Sequence, residues 1–129
     1  MLANINSPAQ GVVNAATLRV TYASLPRTPE TDTEIHTALG ILSCLLDEPH
    51  VAVQHFREAV NQSPQDFMLW NRLGATLANS DRSSESVEAY RRALSLSPGY
   101  IRARYNLGIA CLNLQAYRWV FDHFCNFSL

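Results

Sequence analysis

Lysine is missing from this chain of 129 residues, and all ten basic residues are arginine. Its cations are therefore planar forks that hold their charge and match carboxylates in pairs, not flexible ammonium groups. Cysteine is scarce and odd in number, with Cys44, Cys111 and Cys125 in no Cys-x-x-Cys spacing. That pattern predicts reduced, buried thiols in a cytosolic setting rather than a disulfide framework. No apolar run approaches the length of a bilayer span. Residues 1–20 lack the basic start and continuous apolar core of a secretory signal. Charge of one sign is not in excess either: the net charge is -1, so no global attraction to nucleic acid or an anionic membrane is expected. There is no glycine-rich phosphate loop. His50, His55 and His123 have no His, Cys or carboxylate partners at metal-ligand spacing. His123 and Cys125 lie two apart, which on a helix points them in different directions. The expectation is a non-enzyme with no cofactor, no metal and no nucleic-acid partner.

What is present is ordinary in amount and unusual in arrangement. Hydrophobic residues make up 47% and charged residues 16%, the balance of a globular chain with enough length for a core. Six arginines (Arg72, Arg82, Arg91, Arg92, Arg102, Arg104) fall between residues 70 and 105, against three acids, Asp81, Glu85 and Glu88. A local anion site is therefore compatible with a near-neutral chain.

Leu39-Gly40, Leu73-Gly74 and Leu107-Gly108 stand 34 residues apart. The same spacing relates Ala52, Ser86 and Val120, then Phe56, Tyr90 and Phe124, and finally Pro64 and Pro98. A period of this length, with Trp-x-x-Leu-Gly, a small residue, an aromatic and a proline in order, is the tetratricopeptide signature. It predicts an all-α tetratricopeptide repeat solenoid of about three helix-turn-helix repeats. Residues 1–32 fall outside the period; alternation at Thr17–Tyr22 and the prolines of 25–32 read as an irregular segment with weak strand character. The repeats are expected at 33–66, 67–100 and 101–129. Their helix pairs are Thr33–Leu46 with Pro49–Gln62, Phe67–Asn79 with Ser83–Leu96, and Ile101–Leu112 with Tyr117–Phe127. Asp32 or Thr33 is the expected cap of the first helix. The last repeat is incomplete, with Val120 and Phe127 where the pattern wants small residues. Its uncapped end, carrying Trp119, Phe121, Phe124 and Phe127, predicts self-association.

Between the packing positions lies a second set of residues. Arg102, Asn106 and Asn113 keep to one helical stripe at about 100° per residue. Asn71, Arg72 and Asn79 occupy the first helix of the preceding repeat. First helices line the concave side of such a solenoid, so these six side chains are expected to converge. Asparagine offers donors and an acceptor that suit an extended peptide backbone, and arginine suits a carboxylate. A peptide with its free C-terminus in the groove satisfies both. Asn79 and Asn113, at helix ends, also fit a purely structural role as terminators. Asn71 and Asn106 have no capping role inside their helices, where asparagine has poor propensity. Arg102 sits in a first turn, where a cation opposes the helix dipole.

The stretch Leu69–Asn79, with Ala89–Leu94 and Pro98–Ile109, resembles the receptors for the type 1 peroxisomal targeting signal and their neuronal paralogue, which binds ion-channel subunits. The resemblance covers roughly residues 36–117. It implies a cargo-binding module that reads a C-terminal Ser-Lys-Leu-like tripeptide on peroxisomal matrix proteins. It further implies asparagines at 71 and 106 on the cargo backbone and carboxylate, added contacts from 79 and 113, and charge from Arg72 and Arg102. A cytoplasmic location with cycling to the peroxisomal membrane follows from the same resemblance. Docking to the peroxisomal machinery belongs to the full-length receptor, whose aromatic docking motifs are not matched here. The family's array has about seven repeats and a closing helical bundle, and the pattern breaks after residue 117. A truncated chain is therefore expected, and with it the alternatives of a binding-incompetent fragment, a generic tetratricopeptide scaffold or a co-chaperone-type adaptor. The last needs basic and asparagine positions where Thr37 and Ile41 stand.

Overall fold

A computed structural model describes residues 8–125. Six helices run through them, and no strand occurs among the described residues: α1 (Pro8–Ala23), α2 (Asp32–Leu45), α3 (Pro49–Gln62), α4 (Phe67–Asn79), α5 (Ser83–Leu96) and α6 (Ile101–Cys125). The chain divides into two compact units, one ending at Pro64 and the other beginning at Gln65.

In the first unit α2 and α3 form an antiparallel pair and α1 packs on α2. The helix α1 corrects the expectation of an irregular segment over residues 1–32. Thr17 to Tyr22 alternates polar and apolar residues as a strand does, but β propensity is weak against tertiary packing. Ala15 is buried, and Arg19 reaches across to pair with Glu48. Pro8 stands at the first helical position, where its missing N–H is not needed. The cap of α2 is also displaced from its expected place. Thr31 occupies it, its hydroxyl turned to Thr28. The Asp32 carboxylate is taken instead by Arg27, at 3.1 Å, and by Gln62.

In the second unit α4 and α5 form the pair, with α6 against both. Asp66 caps α4, its carboxylate accepting from the N–H groups of Met68 and Leu69 at 3.0 and 3.3 Å. Within each pair the Leu-Gly beat has a direct steric meaning. A Cβ placed on Gly40 would lie 2.7 Å from a ring carbon of Phe56, and one on Gly74 would lie 2.6 Å from Tyr90. Only glycine lets these aromatic rings seat against the backbone of the facing helix.

The two pairs also share their turn. Asp47 and Asp81, one period apart, adopt left-handed φ of 58° and 59°. The next N–H in each case, Glu48 or Arg82, reaches back to Ser43 or Leu77 at 2.8 and 2.9 Å, closing the helix end. Aspartate tolerates this conformation better than most residues with a Cβ. One period further on stands Gln115, a good helix former with no such tolerance. The expected break between Leu112 and Tyr117 is absent, and α6 runs unbroken to Cys125. The expected third helix pair is thus one helix; Phe127 lies outside the described residues.

The expectation of buried thiols is likewise corrected, since Cys44 and Cys111 are exposed. Cys44 follows Ser43, which takes the buried position on α2. Cys111 lies on a side of α6 that nothing covers.

Candidate functional site

The six residues singled out above all belong to α4 and α6 of the second unit. Asn71 on α4 is buried, 6% exposed. Its Oδ1 accepts a hydrogen bond from Nδ2 of Asn106 on α6 at 3.2 Å. This amide bridge joins the two helices and leaves Nδ2 of Asn71 and Oδ1 of Asn106 outside that bond. An unmatched amide would be expensive at this burial, so the two asparagines account for each other's presence inside helices.

Beside the bridge is a cleft of about 260 Å³, lined by Asn79, Asn106 and Asn113 together with Ala75, Ser83, Tyr90, Ile109 and neighbouring alanines. Its polar groups are neutral amides and hydroxyls. Burial pushes the Tyr90 phenol up from an ordinary value already well above neutral. Arg102 stands one helical turn before Asn106 on the same stripe, about 6 Å away along the helix. Arg72 and Arg102 are exposed and form no ion pair among the described residues. Neither lines the cleft. The structure thus brings Asn79, Asn106 and Asn113 together, ties Asn71 to them through its bond, and leaves the two arginines at the surface beyond.

Tyr90, Ser83 and Ile109 are cleft residues that sequence reasoning did not single out. Tyr90 was accounted for as the aromatic of the repeat and Ser83 as a helix start. Ile109 carried a signal: it is an apolar residue where the preceding repeat has Ala75, and it lies on the Asn106 face at i+3. Arg92 lies 5.9 Å from the centre of the Trp70 ring. Among the described residues no group of His, Cys, Asp and Glu could hold a metal ion.

The paired helices, the glycine seats and the repeated left-handed aspartate turns define an all-α tetratricopeptide repeat protein. A tetratricopeptide family model matches residues 69–100. A crystal structure of MamA shares the fold, with a TM-score of 0.65 at 21% identity over 87% of this chain and 61% of that one. Among curated proteins the chain is similar to the peroxisomal targeting signal receptors. It is 42% identical to that of Candida albicans over 111 residues, 86% of this chain and 18% of the relative. It is 43% identical to that of Eremothecium gossypii over 74% of this chain and 17% of the relative. A peroxisomal targeting signal 1 receptor of Dictyostelium discoideum is 47% identical over 53% of this chain and 11% of the relative. The chain therefore spans less than a fifth of the length of these relatives. These relatives are receptors, a non-enzymatic family. No helix among the described residues is long and apolar enough to cross a membrane.

Proposed function

We propose that the second unit binds the free C-terminal end of a peptide, as part of a peroxisomal targeting signal receptor. The observation that carries this reading is the Asn71–Asn106 bridge beside a cleft lined by Asn79 and Asn113. Four amides on α4 and α6 offer donors and acceptors of the kind a peptide main chain takes up, and the alanines with Ile109 give the cleft an apolar part. Arg102, one turn along, and Arg72 supply positive charge for a terminal carboxylate, directly or across water. The ligand is a Ser-Lys-Leu-like tripeptide at the end of a peroxisomal matrix protein, met in the cytoplasm by a receptor that cycles to the peroxisomal membrane. The relatives' name supports the cargo class.

A second reading has its own observation. The two central amides already bond each other, so the same geometry serves a scaffold that binds nothing and merely holds α4 to α6. Fluorescence polarisation with a labelled peptide ending in Ser-Lys-Leu separates the two. Binding by the free acid, at least tenfold weaker for the amidated peptide and for Asn106→Ala, supports the receptor reading. Equal binding of free-acid and amidated peptides removes the carboxylate from the account, and no binding by the folded chain favours the scaffold.

A further inference from the structure

Arg27, His36 and His55 in the first unit are joined in one line of hydrogen bonds. A guanidinium nitrogen of Arg27, in the connector after α1, lies 2.9 Å from Nε2 of His36 on α2. Nδ1 of His36 lies 3.1 Å from Nδ1 of His55 on α3, and the ring centres are 5.4 Å apart. A guanidinium can only donate, so His36 Nε2 is the lone pair. The neutral His36 ring then carries its hydrogen on Nδ1 and donates it to Nδ1 of His55, whose own hydrogen sits on Nε2. Every link uses a lone pair at which one of the rings would otherwise take up a proton.

A third hydrogen on the pair can settle on either ring with the same result. On His36 it occupies Nε2 directly. On His55 it occupies Nδ1, which then needs the lone pair of His36 Nδ1, so the His36 hydrogen passes to Nε2 by exchange with water. In both cases Nε2 of His36 becomes an N–H, and Arg27 loses its acceptor on the ring. The new N–H has an anion to turn to, since Asp32 Oδ1 lies 3.8 Å from that nitrogen.

The charges round the pair act in the same sense. Arg19 of α1 and Arg27 of the connector oppose a charge on His55, and Glu58 of α3 favours it. Asp32 on α2 is already shared by Arg27 and Gln62. Both opposing arginines therefore belong to one arm, made of α1 and its connector. That arm has little apolar hold: of residues 14–23 only Ala15 is buried, Val20 is 70% exposed, and Arg19 ties the helix to Glu48.

We propose that the His36–His55 pair is a proton-operated latch for this arm. With both rings neutral, the pair accepts Arg27 and α1 lies on α2. With one proton on the pair, Arg27 is turned away and the arm lifts, uncovering the side of α2 on which α1 packs. His55 is held below its ordinary value of 6.5 by burial first and then by the charges around it. Docking is therefore complete above that value and is lost as pH falls below it. The inference uses no residue of the second unit and is independent of the peptide-binding reading.

The experiment is hydrogen exchange of the full chain by mass spectrometry at pH 7.5 and 5.5, with rates corrected for the intrinsic effect of pH on exchange. Protection of residues 15–27 is expected to fall by about tenfold, while that of residues 50–62 is unchanged. The double variant His36→Gln, His55→Gln takes up no proton at these positions and still offers Arg27 an acceptor. Its arm is expected to stay protected at both pH values, with far-UV circular dichroism to establish folding. Nitrogen NMR of the histidine rings in the wild type at pH 7.5 needs no variant, and it is expected to find the His36 hydrogen on Nδ1. Constant protection in the wild type, equal losses in wild type and variant, losses spread evenly over α1 and α3, or a His36 hydrogen on Nε2 would each overturn the proposal.

Discussion

Alanine substitution at Gly74 and at Gly108 is one chemical change made at repeat-equivalent positions, and it is expected to move stability in opposite directions. At Gly74 the new methyl group would lie 2.6 and 2.7 Å from two ring carbons of Tyr90. Carbon atoms sit comfortably at about 3.5–4.0 Å, so the overlap is about 1 Å. Tyr90 is 3% exposed, so its ring cannot swing out into solvent. Overpacking of this kind costs about 1–3 kcal/mol, offset by about 1 kcal/mol because alanine favours a helix interior over glycine. A net loss of up to about 2 kcal/mol remains. At Gly108 there is nothing to overlap, and the same propensity gain of about 1 kcal/mol stands alone. Urea unfolding followed by tryptophan fluorescence reads the second unit, because both Trp70 and Trp119 belong to it. With a slope of about 1–3 kcal/mol per molar urea, the two midpoints are expected to separate by about 1–2 M. If Gly74→Ala stabilises, or if both variants shift the same way, the assignment of these glycines to filled and empty seats is wrong.

Acidification is expected to weaken the first unit. His55 is held below its ordinary value of 6.5 by burial first, then by the charges of His36, Arg27 and Arg19. The unfolded chain then takes up the proton first, so this contribution is complete above the ordinary histidine range and is lost as pH falls through the depressed folded value. Asp32, held down chiefly by the Gln62 hydrogen bond, loses its contribution in the same direction at lower pH. Urea midpoints for wild type and His55→Gln between pH 7.5 and 5 check this; equal pH dependence in both would remove His55 from the account. Gln115→Asp restores the residue found at both left-handed turns and is expected to split α6 into a hairpin. A spin-label pair at positions 104 and 122 would then shorten by more than 10 Å relative to the straight helix, whose rise is about 1.5 Å per residue; an unchanged distance would show that the turn residue does not control the break. Asp66→Ala removes the cap that holds two N–H groups of α4 and is expected to destabilise the second unit by about 0.5–2 kcal/mol. A thermal or urea midpoint within error of wild type would show that the cap contributes nothing.

Where the period repeats in full, the sequence could be read almost to the residue. Pro49–Gln62, Phe67–Asn79 and Ser83–Leu96 emerge as helices at the expected bounds, because proline, glycine and apolar spacing all point the same way there. It failed where one element carried the decision. At residue 115 glutamine stands where both earlier turns have aspartate, α6 runs on through it, and the surrounding Leu-Gly and aromatic positions gave no warning. In α1 the local preferences of Thr17, Val20 and Thr21 point to a strand, and packing on α2 overrides them. The candidate cleft was half legible. Asn106 and Asn113 announce themselves by residue type on a shared stripe, whereas Tyr90 and Ile109 look like ordinary repeat residues until α5 and α6 are side by side. The exposed arginines are conspicuous in the sequence, but exposure alone does not bring them to the cleft.

Tyr90 has two faces with different duties. Its ring edge fills the seat on Gly74 and closes α4 onto α5, and the same residue lines the cleft. Whatever occupies the cleft therefore leans on a side chain that also sets the spacing of a helix pair. Occupancy and closure become coupled quantities, each changing the other by the same factor. A ligand that presses Tyr90 home tightens the α4–α5 pair, and a substitution that loosens the pair weakens the ligand in equal measure, with no contact between the substituted residue and the ligand.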